Sequence, residues 1–270
     1  MIKTSLIIAV YNNKKYLELV FAGLERQTFK DFEVIIADDG SNCSVIDFIN
    51  EYKLTSPMTI KHVWHEDKGF RKNKILNEAI RKSETEQIII IDGDCVPHKE
   101  FIKEHYLSRI EGFCFTGRRI NLSEKFTSLL TPTNVGNGFI EKNLPRLFID
   151  AVFGKSNYVE KGIYIKSYFL RALLNKKKRG LLGCNFSLMK SNLLDINGFD
   201  ERYEAPSIGE DSDIQFRLEL NGIRIESLNH IAVQYHLYHK LQERPQINLD
   251  LFEQVKKEKT AFTRFGIEKK

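Results

Sequence analysis

Two aspartates one residue apart, Asp92 and Asp94, close a run of four isoleucines in "EQIIIIDGDCVPHKEF" (86–101). Side chains two apart on an extended chain project to the same side, so both carboxylates would leave the strand together. Like charges held that close repel, and a bound cation is the commonest way to offset the cost. A plainer reading makes them loop carboxylates capping a helix that starts near Pro97. Two other strand-like runs also end in polar groups: "SLIIAV" leads into Tyr11 and Asn12, and "FEVIIADDGS" into Asp38 and Asp39. Capping alone does not account for three such ends. In open α/β sheets, ligands bind beyond the carboxyl ends of the strands.

The elements that must hold these groups follow from periodicity. Four consecutive β-branched residues predict a strand buried on both faces, as in the middle of a parallel sheet. Strands are expected at 5–10, 32–37, 59–65 and within 86–92. Helices are expected over 14–27, where Leu17, Val20, Phe21 and Leu24 share a stripe, and over 71–82. Strand alternating with helix predicts a parallel sheet with right-handed crossovers. Beyond 121 the periodicity fades among Pro132, Pro145 and several glycines, so 122–179 reads as an insertion or lid with a helix over 162–177. Regularity returns in "GLLGCNFSLMKSNLLDINGFDERY". "GEDSDIQFRLELNG" then predicts a buried helix closing at Gly222, and "HIAVQYHLYHK" a last strand.

Composition narrows the classes further. The chain has 270 residues, 42% hydrophobic and 29% charged, enough for one large α/β core. Its net charge of +5 concentrates in "NKKKRG" (175–180) and near the C-terminus. No nucleic-acid motif accompanies these runs, so nucleic acid is not an expected partner, whereas peripheral contact with anionic membrane is. Cys43, Cys95, Cys114 and Cys184 stand singly, as reduced thiols of a cytosolic protein do. With no signal-peptide pattern and no apolar run near ~20 residues, a soluble cytoplasmic protein is expected, peripheral at the inner face of the membrane. No G-x-G-x-x-G follows the first strand, which argues against a dinucleotide-binding dehydrogenase.

At "SLIIAVYNNKKYLELVFAGLERQTFKDFEVIIADDGS", "HEDKGFRKNKILNEAI" and "IIIIDGDCVPHKEFIKEH" the chain resembles the nucleotide-sugar-dependent glycosyltransferases of family 2, with the GT-A fold. "GCNFSLMKSNLLDINGFDERY" and "GEDSDIQFRLELNG" resemble the C-terminal half of galactosyl- and N-acetylgalactosaminyltransferases. There a Gly-Trp-Gly-x-Glu-Asp stretch precedes a helix. Gly209, Glu210 and Asp211 match it and the tryptophan does not, which leaves the sugar open. The resemblance implies an α/β GT-A domain over 1–240, with a nucleotide-binding half (1–120), an insertion (121–180) and a catalytic half (181–240). A basic tail (241–270) follows.

By the same resemblance Tyr11 stacks on a uracil base and Asp39 bonds it, with Ala9 and Gly93 in the donor-binding set. Their plainer roles are core aromatic and turn residue. Asp67 and Arg71 match the third motif, and Arg71 or Lys74 would neutralise a diphosphate, the alternative being a basic helix start. Asp94 would bind the metal, and Asp92 the ribose or a metal-bound water. Oxygen ligands with a diphosphate suit Mn²⁺ or Mg²⁺, and His236 or His239 would complete the shell, His236 being preferred on its place in the strand. Asp211 would be the base of an inverting transfer and Glu210 would orient substrate, though acids at 210, 211 and 213 also suit a helix N-terminus. The implied reaction moves a hexose or N-acetylhexosamine, galactose or its N-acetylamino form favoured, from a UDP-sugar to a glycan or lipid-linked acceptor in bacterial surface polysaccharide synthesis. Two rivals are a haloacid-dehalogenase-type phosphatase, with Asp92 as nucleophile, and a non-catalytic sugar-nucleotide-binding module.

Overall fold

A computed structural model describes residues 1–174, 180–206, 210–240 and 246–269. The chain opens β1 (Thr4–Val10), α1 (Lys14–Glu25), β2 (Phe32–Asp38), α2 (Cys43–Thr55), β3 (Thr59–Trp64), α3 (Lys72–Lys82) and β4 (Gln87–Asp92). These strands lie parallel in the order β3-β2-β1-β4. Ile88, Ile89, Ile90 and Ile91 are fully buried, as a strand covered on both faces requires. Helix α2 went unread in the sequence, because only Val45 and Ile49 of its thirteen residues are buried.

Three short strands and a helix follow β4: β5 (Cys95–Pro97), α4 (Phe101–Ser108), β6 (Phe113–Thr116) and then β7 (Arg118–Asn121). Pro97 therefore ends a strand rather than opening a helix, and the N-cap of α4 is Glu100. The capping account of Asp92 and Asp94 fails on that point. After the short helices of the insertion come β8 (Asn185–Met189), α10 (Lys190–Asp195), α11 (Glu210–Leu220), β9 (Arg224–Ser227) and β10 (Val233–His236). Strand β8 pairs antiparallel with β4 and β6, completing a seven-stranded, mostly parallel sheet β3-β2-β1-β4-β8-β6-β9. The isoleucine strand thus sits where parallel pairing gives way to antiparallel. A second sheet, β5-β10-β7, begins just past the end of β4.

The insertion carries α5 (Glu124–Ser128), α6 (Pro132–Gly136), α7 (Phe139–Lys142), α8 (Leu144–Val152), a 3-10 turn (Val159–Gly162) and α9 (Tyr168–Leu174). The expected helix over 162–177 is shorter, beginning only at Tyr168, with Gly162 closing the 3-10 turn. Its end, the basic run 176–179 and Gly209 lie outside the described residues. The strand expected in 230–240 is confined to Val233–His236. The basic C-terminal segment folds back: α12 (Gln246–Glu258) sets Phe252 edge-on to Phe216 of α11, and Ile267 is buried beyond it. All four cysteines are free thiols. No helix among the described residues is long and apolar enough to cross a membrane.

Candidate active site

One cavity of about 860 Å³ opens at the carboxyl ends of β1, β2 and β4. Tyr11, Asn12 and Asn13 follow β1, and the two β-α loops are pinned to each other. Asn12 N–H donates to Ser41 Oγ at 2.9 Å, and Asn12 Oδ1 accepts from Asn42 N–H at 2.8 Å. Gly40, at φ 91°, lets the "DDGS" turn pass so close that a Cβ there would lie 2.6 Å from the Asp67 backbone. Tyr11 is 53% exposed, its hydroxyl donating to Asp67 Oδ2 at 3.0 Å, so its ring is a free face on the cavity wall rather than core.

Asp38 and Asp39 divide as a turn residue and a cavity residue. Asp38 is fully buried, accepting from Ser41 N–H at 2.8 Å and meeting His62 Nε2 at 2.9 Å. Asp39 lines the cavity, held by His65 Nε2 at 2.7 Å and by the Arg71 backbone N–H at 2.9 Å. Burial raises its carboxyl above the ordinary value, only partly offset by those bonds.

Arg71 and Lys74 do not take the places expected of them. The Arg71 guanidinium donates to the Glu66 carbonyl, and neither Arg71, Asp67 nor Lys74 lines the cavity. Lys72 of the same segment does line it. Its Nζ lies 3.0 Å from Asp92 Oδ1 and 2.9 Å from Glu210 Oε1, so it joins α3 and the end of β4 to α11. Burial would lower its pKa, but Asp92 and Glu210 hold it well above the ordinary lysine value. Lys74 is two residues on, about 200° round the helix. No spacing rule separates these two lysines without the helix phase. Arg119, also missed, lines the same cavity and donates to Cys184 Sγ at 3.0 Å.

Asp94, His236 and His239 converge. His236 Nε2 lies 3.4 Å from Asp94 Oδ2, His239 Nε2 3.3 Å from the same oxygen, and the two ring nitrogens stand 3.1 Å apart. A triangle of these sides leaves a point about 2 Å from all three atoms, the bond length of Mg²⁺ or a first-row ion to N or O. One carboxylate oxygen with two imidazoles suits Mn²⁺ better than Mg²⁺. Burial pushes Asp94 up, but hydrogen bonds from both histidines hold it well below the usual carboxylate range, while Asp94 raises His239. Cys95 Sγ is close enough to be counted with Asp94 and His236. Burial and the neighbouring Cys184 raise its thiol far above the ordinary value, which makes it a poor ligand.

Asp92 sits beside this group on Lys72, and Gly93 turns the chain between them, its N–H donating to the Ala9 carbonyl at 2.8 Å. Ala9, Gly93, Asp92 and Asp94 all line the cavity. Across it, Glu210 and Asp211 open α11. Asp211 Oδ2 accepts from Gly183 N–H at 3.0 Å, and a Cβ on Gly183 would fall 1.8 Å from Asp211 Oδ1, so only glycine allows this approach. Burial first, then Glu210, pushes the Asp211 carboxyl up to about 6.

With that geometry in place the relatives are informative. A family model described as glycosyl transferase family 2 matches residues 5–152, more than half of the chain. The chain belongs to glycosyltransferase family 2. A second family model, described as the N-terminal domain of galactosyltransferase, matches residues 172–240. Chondroitin synthase of Escherichia coli is 26% identical over 243 residues, covering 86% of this chain and 34% of that protein. The poly(ribitol-phosphate) β-N-acetylglucosaminyltransferase TarS of Staphylococcus aureus is 28% identical over 106 residues, 38% of this chain and 18% of its own. The chain thus spans about a third or less of these relatives.

Among solved structures, TarS aligns with a TM-score of 0.56 at 18% identity, covering 88% of this chain and 37% of its own. The mannosyltransferase PcManGT of Pyrobaculum calidifontis, solved with GDP-Man and Mn²⁺, aligns with a TM-score of 0.56 at 15% identity, covering 88% and 57%. The fold is GT-A and the family-2 chain is a glycosyltransferase. Family membership sets aside the phosphatase and the non-catalytic module.

Proposed function

We propose that the chain transfers a hexose or N-acetylhexosamine from a UDP-sugar to a hydroxyl of a glycan or lipid-linked acceptor, inverting the anomeric carbon, with Mn²⁺ or Mg²⁺ held by Asp94, His236 and His239. The observation that carries this reading is the convergence of that donor set in the cavity that also holds Tyr11, Asp39 and Asp211. In this reading Tyr11 offers its exposed face to the base, and Asp39, acceptor-only and fixed by His65 and Arg71, bonds the base N–H. Asp92 reaches the ribose, with Ala9 and Gly93 as the backbone floor. Asp94, His236 and His239 would hold a divalent ion, which when bound would supply positive charge to the departing diphosphate. Lys72 and Arg119 add positive charge from the protein.

Asp211 takes the proton of the acceptor hydroxyl as that oxygen bonds the anomeric carbon and the bond to the UDP oxygen breaks. Glu210, fixed on Lys72, orients the sugar. One carboxylate opposite the leaving group supports one displacement, hence a β product from an α-linked donor. The second family model favours galactose or its N-acetylamino form as the sugar, and the polymer synthases among the relatives favour surface polysaccharide synthesis in a bacterium.

Calorimetry of UDP binding with Mn²⁺ and with EDTA tests the metal. Affinity should fall at least about tenfold with EDTA, because Asp92 and Asp94 would otherwise meet the diphosphate as like charges. Equal affinity in the two conditions would remove the metal from the reading. Screening UDP-Gal, UDP-GalNAc, UDP-Glc and UDP-GlcNAc for metal-dependent turnover then assigns the donor.

A further inference from the structure

We propose that the cleft between α5 and α8 docks the protein on an anionic lipid bilayer. The cleft is about 360 Å³ and lies outside the active-site cavity. Lys125, Arg146 and Lys155 stand around it, all exposed. Among the described residues none of the three is ion-paired, and Asp150 in the same cleft is turned to Ser156, whose Oγ donates to it at 2.5 Å. Between the cations the wall is apolar. Ile149 is 62% exposed and Phe153 73%, and Val152 on the same helix is 83% exposed. Single exposed hydrophobics are ordinary, but several on one short helix edge, ringed by unpaired cations, mark an interaction surface.

The chemistry selects the occupant. Apolar side chains that project outward suit the acyl boundary of a bilayer, and a cationic rim suits its anionic headgroups. A second copy meeting this face by two-fold symmetry would bring the three cations against three more. The position fits an enzyme reaching an acceptor at the membrane. Thr127 of α5 accepts from Tyr238 N–H at 3.0 Å, one residue before His239, and Leu122 N–H donates to the His236 carbonyl at 2.9 Å. The docking surface extends the proposed transfer, yet it stands independently of which sugar moves or whether a metal is needed.

Co-sedimentation with vesicles of phosphatidylcholine alone, and of phosphatidylcholine with phosphatidylglycerol at 3:1, tests it in 0.1 M salt. The protein should pellet with the anionic vesicles and remain in solution with the neutral ones. Each cation near an anionic surface is worth roughly fivefold, so Lys125→Gln, Arg146→Gln and Lys155→Gln together should lower partitioning about 10²-fold. Val152→Ser with Phe153→Ser should lower it at least about tenfold. UDP affinity should be unchanged in both variants, reporting that they are folded. Equal pelleting with both vesicles, none with either, or a triple variant that pellets like the parent overturns the proposal. A soluble anionic polysaccharide bound through the same three cations, with no vesicle binding, reassigns the cleft to a glycan. Dimers lost on Phe153→Ser with vesicle binding intact reassign it to a second copy.

Discussion

Lys72 decides the electrostatics of the site at the level of single residues. Asp92, Glu210 and Asp211 would repel one another, and the Lys72 ammonium touches the first two and lowers the third. Asp211 titrates at about 6. Below that value its carboxyl carries a proton of its own and cannot accept one from the acceptor. Transfer should therefore fall as pH drops through about 6 and level off above it. Removing Lys72 as Lys72→Met takes away a lowering influence, so the acid limb of the pH-rate profile should move upward. A limb that stays in place would show that Lys72 does not act on Asp211. Asp211→Asn fills the same space without basicity and should cost about 10² to 10⁴-fold in transfer while UDP affinity barely changes. An α-linked product by NMR, or near-normal transfer in that variant, would point to Glu210 instead.

Elements were legible where burial writes a pattern. The four isoleucines and the runs at 5–10 and 32–37 are strands with almost every residue buried, and periodicity finds such strands. Helix α2 leaves no comparable stripe, and β5, β6, β7 and β9 are three or four residues long, too short for a period to emerge. The place of Asp94 was legible from its spacing to Asp92. That His236 and His239 would face it rests on β10 pairing with β5 and β7, a long-range contact that no local pattern encodes; the sequence offered only two histidines near the end of a strand. The join between the two sheets is a buried polar group of the same kind. His105 of α4 meets Ser187 Oγ at 2.8 Å and Asn185 Oδ1 at 3.1 Å, while Asn185 Nδ2 donates to the Ala232 carbonyl at 3.0 Å, just before β10. Burial drives His105 down to about 4, so it is neutral in the folded state. An unfolded histidine titrates near 6.5 and binds the proton first, so stability should decline as pH falls from about 6.5 to 4, by roughly 3 kcal/mol. Urea midpoints at pH 7 and 4.5 measure this, and His105→Gln should flatten the difference. An unchanged slope in that variant would assign the acid sensitivity elsewhere.

Across the whole molecule, the two halves of the site are held together by a knot of hydrogen bonds whose members do not line the cavity. The turn at 197–200 receives α3 through Asn73 Nδ2, which donates to the Asp200 carbonyl at 2.7 Å, and Asn77, which bonds Phe199 on both its carbonyl and its N–H at 2.8 Å. It receives α11 through Arg217, fully buried, whose Nη1 donates to the Ile196 and Gly198 carbonyls at 2.9 Å while Asp213 holds its other edge. Helix α3 carries Lys72 and α11 carries Asp211, so this turn sets the distance between those two side chains. The C-terminal strap closes it. Asn197 Nδ2 donates to the Thr263 and Glu268 carbonyls at 2.8 and 2.9 Å, Arg81 reaches the Ile267 carbonyl at 2.8 Å, and Ile267 is 9% exposed. Deleting 260–270 removes one buried isoleucine, worth about 1.5–3 kcal/mol, and strands the Asn197 amide. For a chain of this size each kcal/mol is about 2–4 °C, so Tm should fall by roughly 5–10 °C. Because the strap touches neither Asp94, His236 and His239 nor Tyr11, UDP affinity below the new Tm should hold while transfer drops. A deletion that leaves both Tm and transfer intact would show that α3 and α11 keep their spacing without the strap.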